Sequence, residues 1–132
     1  MAAQLIDGKA LAQQVRDRLA KESADLFAKK SMKPGLATIL VGDDPASQVY
    51  VRNKQKACEL AGIYVDDYKL PANTTQAELL ALIDKKNTDP NIHGILVQLP
   101  LPKHIDSKVI LEAVSPLKDA DGFHPYNFGR LV

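Results

Sequence analysis

Hydrophobic positions along the chain alternate between helical spacing and short unbroken runs. Apolar side chains recur at helical spacing over residues 8–30, and Asp7 stands where an N-cap is expected, so the pattern predicts a long first helix. The run 36–41 is almost entirely apolar, which is typical of a strand buried in a parallel sheet. Two further segments, 63–70 and 94–99, are predicted to be the second and third strands.

Three more helices are predicted between and after these strands. The second helix follows Asp44 as its N-cap, has Pro45 at its first position and ends at Gly62. The third covers about 76–86 and the fourth about 106–114, after which turn residues predominate. Strands that alternate with helices predict parallel βαβ units, so the fold class is α/β, a parallel sheet flanked by helices.

Composition narrows the classes of function. The 132 residues fit one domain, and 45% hydrophobic residues suffice for a core. With 25% charged residues and a net charge of +1, the chain has no basic stripe for nucleic acid. No apolar run is long enough for a bilayer, and the N-terminus lacks a basic-then-apolar signal pattern. We therefore expect a soluble cytoplasmic protein without nucleic-acid or membrane partners.

Cysteine and histidine usage argues against a metal site. Cys58 is the only cysteine, which excludes an intrachain disulfide, and it is interpreted as a small core residue. The three histidines are scattered without common spacing, so they offer no zinc-ligand cluster and are assigned no catalytic role. No metal is expected.

The second predicted helix carries a stripe of chemically capable side chains. Ser47, Tyr50 and Lys54 stand at positions i, i+3 and i+7, which share a helical face. An aromatic ring beside an amine can hold a flat ligand, and near a cationic substrate the amine can serve as acid or base. Each residue also has an ordinary interpretation: Ser47 as a capping residue, Tyr50 as a core or interface aromatic, and Lys54 as a solvated lysine.

Polar side chains also follow the third strand and stand in a later turn. Gln98 ends the third predicted strand, where its amide either bonds the loop backbone or orients Lys54. Asp119 and Asp121 belong to an Asp-x-Asp-Gly sequence, which is either a plain turn or a carboxylate placed to accept a pair of N–H groups. Because ligands bind beyond the carboxyl ends of parallel strands, Gln98 and the start of the second helix are expected to share a rim.

Three ordered blocks together resemble the signatures of one family, the bifunctional methylenetetrahydrofolate dehydrogenase/cyclohydrolases of the FolD type. The blocks span almost the whole chain, which makes the resemblance specific. They are VGDDPAS followed by YVRNKQK at 41–56, GILVQLPLP at 94–102, and PLKDADGFH followed by NFGRL at 116–131.

The resemblance implies catalytic roles for three residues. Lys54 resembles the essential acid/base lysine of the family, Tyr50 the tyrosine that stacks on the folate ring system, and Gln98 the glutamine that pairs with the lysine and tunes it. A neutral lysine of this kind would take up a proton from the water that hydrolyses the cationic methenyl group.

The resemblance also implies the residues that hold the substrate. Asp121 resembles the aspartate that binds the amino and ring N–H donors of the pterin, and Tyr50 again provides the stacking surface. Ser47 is implied to support the lysine. The backbone around Asn53 and Leu99 is implied to help hold the pterin.

For the whole enzyme, the resemblance implies one-carbon folate metabolism: NADP-dependent oxidation of 5,10-methylenetetrahydrofolate to the 5,10-methenyl form and hydrolysis to 10-formyltetrahydrofolate. It further implies a homodimer and a Rossmann domain for NADP after residue 132. The turn 41–44 is too acidic to cradle phosphate, and no Gly-x-Gly-x-x-Gly-like loop joins a strand to a helix. Residues 1–132 are therefore interpreted as the catalytic, folate-binding domain, with NADP bound mainly by the domain absent from this chain.

Three other interpretations stay open at the level of sequence. The pair Tyr50-x-x-x-Lys54 also matches short-chain dehydrogenases, but their nucleotide loop lies near the N-terminus, where this chain has a long amphipathic helix. A stand-alone folate-binding module would lack dehydrogenase turnover and lysine-dependent hydrolysis. A structural α/β domain would respond to no ligand.

Overall fold

The computed structural model describes residues 3–132 and contains a three-stranded parallel sheet flanked by helices, which confirms the predicted α/β class. The strands are β1 (Gly35–Val41), β2 (Tyr64–Leu70) and β3 (Gly94–Val97), in the order β2-β1-β3. β1 lies in the centre and pairs in parallel with both neighbours. β3 ends before its predicted limit at 99, because Gln98 donates the last N–H to β1 and Pro100 has none to donate.

Residues 3–132 form five helices before, between and after the strands: α1 (Gly8–Lys30), α2 (Pro45–Leu60), α3 (Gln76–Thr88), α4 (Ser107–Ala113) and α5 (Pro125–Gly129). The predicted N-caps Asp7 and Asp44 are confirmed, since each carboxylate accepts the backbone N–H three residues ahead. No helix within residues 3–132 is both long enough and apolar enough to cross a membrane.

The last helix, α5, was not predicted, because only turn residues were expected there. The side chain of His124 caps it by accepting the N–H of Tyr126 at 3.1 Å, and Pro125 occupies its first turn. Histidine is not among the residues that usually mark a helix start, so the sequence offered no conventional signal.

The two faces of the sheet are covered by different helices. Because the chain runs from β1 to β2 and then back past β1 to β3, right-handed crossovers place α2 and α3 on opposite faces. Alternate residues of β1 face α3 and α4, and this side forms the main core. Its buried members include Ala37, Ile39, Val41, Leu79, Ile83, Ile95, Val97 and Ile110.

The apolar side chains of α1, which the helical spacing was predicted to place on one face, do not enter that core. Leu11 is 57% exposed and Phe27 is 50% exposed. Ser23 is the buried residue of α1, and its hydroxyl donates to the carbonyl of Gly62 at 3.1 Å. Helical periodicity therefore predicted the helix correctly without predicting what its apolar side faces.

Candidate active site at the carboxyl edge of the sheet

The elements that carry the candidate residues end at one edge of the sheet. The parallel strands β1 and β3 have their carboxyl ends there, so the first turn of α2 and Gln98 belong to the same rim. The segment around Asp119 also runs parallel to β3: Ile95 donates its N–H to Lys118 and accepts the N–H of Ala120. The chain that follows this bridge therefore leaves toward the same edge.

Lys54 and Gln98 meet at this rim. The ammonium nitrogen of Lys54 donates to Oε1 of Gln98 at 3.3 Å. Nε2 of Gln98 donates to the carbonyl of Leu99 at 2.9 Å, which turns the amide oxygen toward the lysine. The two interpretations of Gln98 are thus not alternatives, because the side chain bonds the loop backbone and contacts Lys54 at the same time. The Leu99–Pro100 peptide bond is cis.

Tyr50 lies one helical turn before Lys54 with its ring in the open. Tyr50 is 61% exposed, which excludes the interpretation of a core aromatic. Lys54 is half-buried, and Asn53 beside it is exposed. No carboxylate of residues 3–132 lies within 4.0 Å of the Lys54 amine. The rim therefore presents an aromatic face and an amine whose described partner is a neutral amide.

Ser47 lies deeper than the other members of the stripe. It is 2% exposed, and its N–H donates to the carboxylate of Asp44 at 2.8 Å. Hydrogen bonds from the side chain and backbone of Ser47 hold the pKa of Asp44 below its ordinary value. The structure gives Ser47 a place in the helix cap and no hydrogen bond to Lys54, so its support of the lysine stays a prediction.

The two aspartates of the Asp-x-Asp-Gly sequence differ in the hydrogen bonds that their carboxylates accept. Oδ1 of Asp119 accepts the N–H of Gly122 at 3.1 Å, while Oδ2 accepts the N–H of His124 at 2.9 Å and Nδ2 of Asn127 at 3.0 Å. Gly122 has φ +71°, a conformation that glycine adopts without strain. Asp121 is exposed, and its carboxylate makes no hydrogen bond within residues 3–132. Asp119 forms the turn, and Asp121 is left available to a ligand.

The environment of Asp119 favours its charged form. Burial opposes ionisation, but hydrogen bonds from Asn127 and from the backbone N–H groups of His124, Phe123 and Gly122 outweigh it and hold the pKa of Asp119 below its ordinary value.

Sequence reasoning missed two residues that fix this turn. Asn127 donates from Nδ2 to the carbonyl of Pro116 at 2.8 Å as well as to Asp119. The Lys118 amine donates to the carbonyls of Lys86 and Asp89, at 3.0 and 2.8 Å, and so ties the turn to the end of α3. No helical or strand spacing reveals either residue, because their partners lie 8 to 32 residues away in the chain.

His93, His104 and Cys58 have environments that fit structural roles and not catalytic ones. His93 accepts the N–H of Gly35, and His104 hydrogen-bonds the carbonyl of Thr74. Burial, followed by the charge of Glu59, raises the pKa of the Cys58 thiol, which is unfavourable for a nucleophile. In the described part of the chain, no three His, Cys, Asp or Glu side chains are grouped to hold a metal.

Two cavities are lined by residues other than Tyr50, Lys54 and Gln98. One of about 530 Å³ is lined by residues of β2 and α3, including Tyr68 and Leu82. Another of about 460 Å³ lies by Lys33 and His93, at the amino ends of the strands. Tyr50 stands outside both cavities with its ring exposed.

Comparisons with known proteins identify relatives of the whole chain. Residues 6–121 match the family model of the tetrahydrofolate dehydrogenase/cyclohydrolase catalytic domain. The chain is 62% identical over 130 residues to the bifunctional protein FolD of Geotalea uraniireducens, an alignment that covers 98% of this chain and 46% of that protein. The chain therefore spans about half the length of the curated relatives it matches.

Solved structures of enzymes of the same kind superpose closely on this chain. The bifunctional enzyme FolD, methylenetetrahydrofolate dehydrogenase/cyclohydrolase, from Campylobacter jejuni superposes with a TM-score of 0.95 at 52% identity, covering 98% of this chain and 46% of that one. The N5,N10-methylenetetrahydrofolate dehydrogenase-cyclohydrolase of Trypanosoma brucei, solved with NADP cofactor and an inhibitor, superposes with a TM-score of 0.93 at 41% identity, covering 99% and 45%.

Proposed function

Because the chain belongs to the tetrahydrofolate dehydrogenase/cyclohydrolase family, we propose that it is the folate-binding half of a bifunctional enzyme of one-carbon metabolism. The enzyme oxidises 5,10-methylenetetrahydrofolate to the 5,10-methenyl form with NADP and hydrolyses that product to 10-formyltetrahydrofolate. The observation that carries the proposal is the hydrogen bond from Lys54 to Gln98 beside the exposed ring of Tyr50. A binding module without turnover is not favoured, because the matched relatives are named as bifunctional.

Tyr50 and Asp121 are the proposed folate contacts. The exposed Tyr50 ring offers a stacking face, and aromatic pairs add about 0.5–1.5 kcal/mol beyond their buried area. The exposed Asp121 carboxylate has both oxygens available for the amino and ring N–H groups of a 2-aminopyrimidinone. Hydrogen bonds to a charged group contribute about 1.5–3 kcal/mol each, so Asp121 accounts for much of the orientation.

Lys54 is the proposed base for hydrolysis. The methenyl substrate is an amidinium-like cation whose carbon is attacked by water, and its positive charge disfavours a second charge on Lys54. One N–H of the neutral amine is held by Gln98, which leaves the lone pair to take the proton of the attacking water as the carbon–oxygen bond forms. The carbon–nitrogen bond then breaks as the ammonium returns the proton to the departing nitrogen, and the added hydroxyl becomes the formyl carbonyl by releasing its proton to solvent.

A neutral partner suits this role better than a carboxylate. A carboxylate beside the amine would stabilise the ammonium and remove the base, whereas the Gln98 amide orients the amine without adding charge. Ser47 and the backbone around Asn53 and Leu99 are proposed to complete the folate site.

The described residues do not fit NADP. The turn between β1 and α2 is acidic, and Asp44 already occupies the helix terminus that would face a pyrophosphate. We therefore derive no hydride step from this chain and propose that NADP is bound mainly by residues beyond 1–132. A cytoplasmic homodimer for the complete enzyme rests on the family resemblance.

The test is hydrolysis of 5,10-methenyltetrahydrofolate by the native protein that contains this chain. Lys54→Met removes the base, and loss of general base catalysis is expected to slow hydrolysis by about 10²–10⁴-fold. Lys85→Met, an exposed lysine of α3, is the matched control and should hydrolyse at the wild-type rate. Near wild-type hydrolysis by Lys54→Met would overturn the proposed function.

A further inference from the structure

The turn that carries Asp121 is held from two sides. On the sheet side, backbone hydrogen bonds to Ile95 fix residues 118 and 120 beside β3. On the other side, the Asp119 carboxylate gathers three donors, from Gly122, His124 and Asn127, at 2.9–3.1 Å. Asp121 lies between these two anchors without a partner of its own among the described residues.

The three hydrogen bonds to Asp119 close the turn around Asp121. Gly122 comes directly after Asp121 and His124 two positions later, and their N–H groups bond Asp119 on the other side of Asp121, which folds the chain back on itself. Asn127 in α5 joins the same carboxylate to the carbonyl of Pro116, which closes the segment 116–127 on itself. A backbone held in this way has little freedom to lose when a ligand binds.

We propose that Asp119 is a positioning residue, which together with Asn127 holds the turn in the conformation that directs Asp121 at the pterin. The inference rests on the proposed function, in which Asp121 binds the folate. Asp119 acts through Asp121 and has no contact with the reacting atoms. Its removal is therefore expected to weaken folate binding while the chemistry at Lys54 continues.

A double-mutant cycle in the native protein that contains this chain tests the coupling. The variants are Asp119→Ala, Asp121→Ala and the pair, with tetrahydrofolate binding measured by calorimetry and kcat and KM measured for methenyl hydrolysis. We expect Asp119→Ala to raise Kd and KM about tenfold with kcat unchanged, a factor that corresponds to about 1.4 kcal/mol. In the Asp121→Ala background the same change should raise Kd by less than about twofold, since the residue it positions is gone.

Two further variants separate positioning from stability. Asp119→Asn keeps one acceptor oxygen and should recover part of the affinity that Asp119→Ala loses. Asp67→Ala is the matched control, because Asp67 accepts the Thr38 hydroxyl at 2.7 Å within the sheet and has no hydrogen bond to the turn. It should lower the melting temperature and leave Kd unchanged.

The experiment distinguishes failure of the positioning role from failure of the proposed function. A Kd unaffected by Asp119→Ala, or an equal effect of Asp119→Ala in both backgrounds, would overturn the positioning role while leaving Lys54-dependent hydrolysis in place. An Asp121→Ala variant with wild-type Kd would also overturn it. If hydrolysis does not depend on Lys54, the proposed function itself fails, and this result is read from Lys54→Met alone.

Discussion

Replacing Gln98 by glutamate changes one atom of the side chain and puts a negative charge beside Lys54. Glutamate has the length of glutamine, so its oxygen takes the place of Oε1, which lies 3.3 Å from the amine. At that distance and an effective dielectric constant of about 20, Coulomb's law gives an attraction of about 5 kcal/mol. Both side chains are half-buried, so solvent and salt reduce this value, and about 1–3 kcal/mol is expected to remain.

This attraction stabilises the ammonium form of Lys54, which has no lone pair to accept a proton from water. A shift of 1–3 kcal/mol corresponds to about a 5- to 150-fold loss of the neutral amine, and kcat for methenyl hydrolysis should fall by the same factor. Because the lost amine is recovered by deprotonation, the activity of Gln98→Glu should move to higher pH than that of the wild type.

The assay follows the loss of methenyltetrahydrofolate absorbance across a pH series. Gln14→Glu, on an exposed position of α1, makes the same change of charge away from the rim and should leave the rate and the pH profile unchanged. A Gln98→Glu variant with the wild-type rate and the wild-type pH dependence would refute the role of the neutral amide.

Three further predictions concern binding and stability. Asp121→Ala should weaken tetrahydrofolate binding by about 1.5–3 kcal/mol in calorimetry, and an unchanged Kd would contradict its role. Lys86→Met should lower the free energy of unfolding by about 3 kcal/mol in a denaturant titration, because the lysine is only 4% exposed and donates to Asp66 at 2.6 Å. If Lys86→Met lowers the free energy of unfolding no more than the exposed Lys85→Met does, the ion pair contributes nothing to stability. Burial opposes ionisation of Asp119, but hydrogen bonds hold its pKa below the unfolded-state value of about 4. The ionised carboxylate therefore stabilises the folded state above about pH 4, and this stabilisation is lost as the pH falls through the native pKa. The difference in melting temperature between wild type and Asp119→Asn should shrink below about pH 4, and a pH-independent difference would contradict this linkage.

Local signals in the sequence predicted most of the fold, because they coincide with the physical causes of its elements. The caps Asp7 and Asp44 were predicted from residue type, and the structure shows each carboxylate bonded to the first turn of its helix. The apolar run of β1 is buried on both faces, which is the situation that such runs favour. Helix α5 escaped prediction because its cap is a histidine side chain.

The sequence predicted which residues belong to the candidate site, but it did not predict the hydrogen bonds between them. Helical spacing brought Tyr50 and Lys54 together, but the double hydrogen bonding of Gln98 depends on the loop that follows β3. The division of labour between Asp119 and Asp121 depends on Asn127, whose position relative to the turn is set by α5. Contacts of this kind form only when distant segments of the folded chain meet, so no hydrophobic period or sequence motif predicts them.

The most direct test of the account is a crystal structure of the native protein that contains this chain with tetrahydrofolate bound. The account predicts the pterin at the carboxyl edge of the sheet, with its ring centroid about 4.5–7 Å from that of Tyr50. It also predicts both Asp121 oxygens about 2.7–2.9 Å from the pterin N–H donors, and the one-carbon position facing the Lys54 amine. Folate bound in the cavity of about 530 Å³ between β2 and α3, with the rim empty, would contradict it.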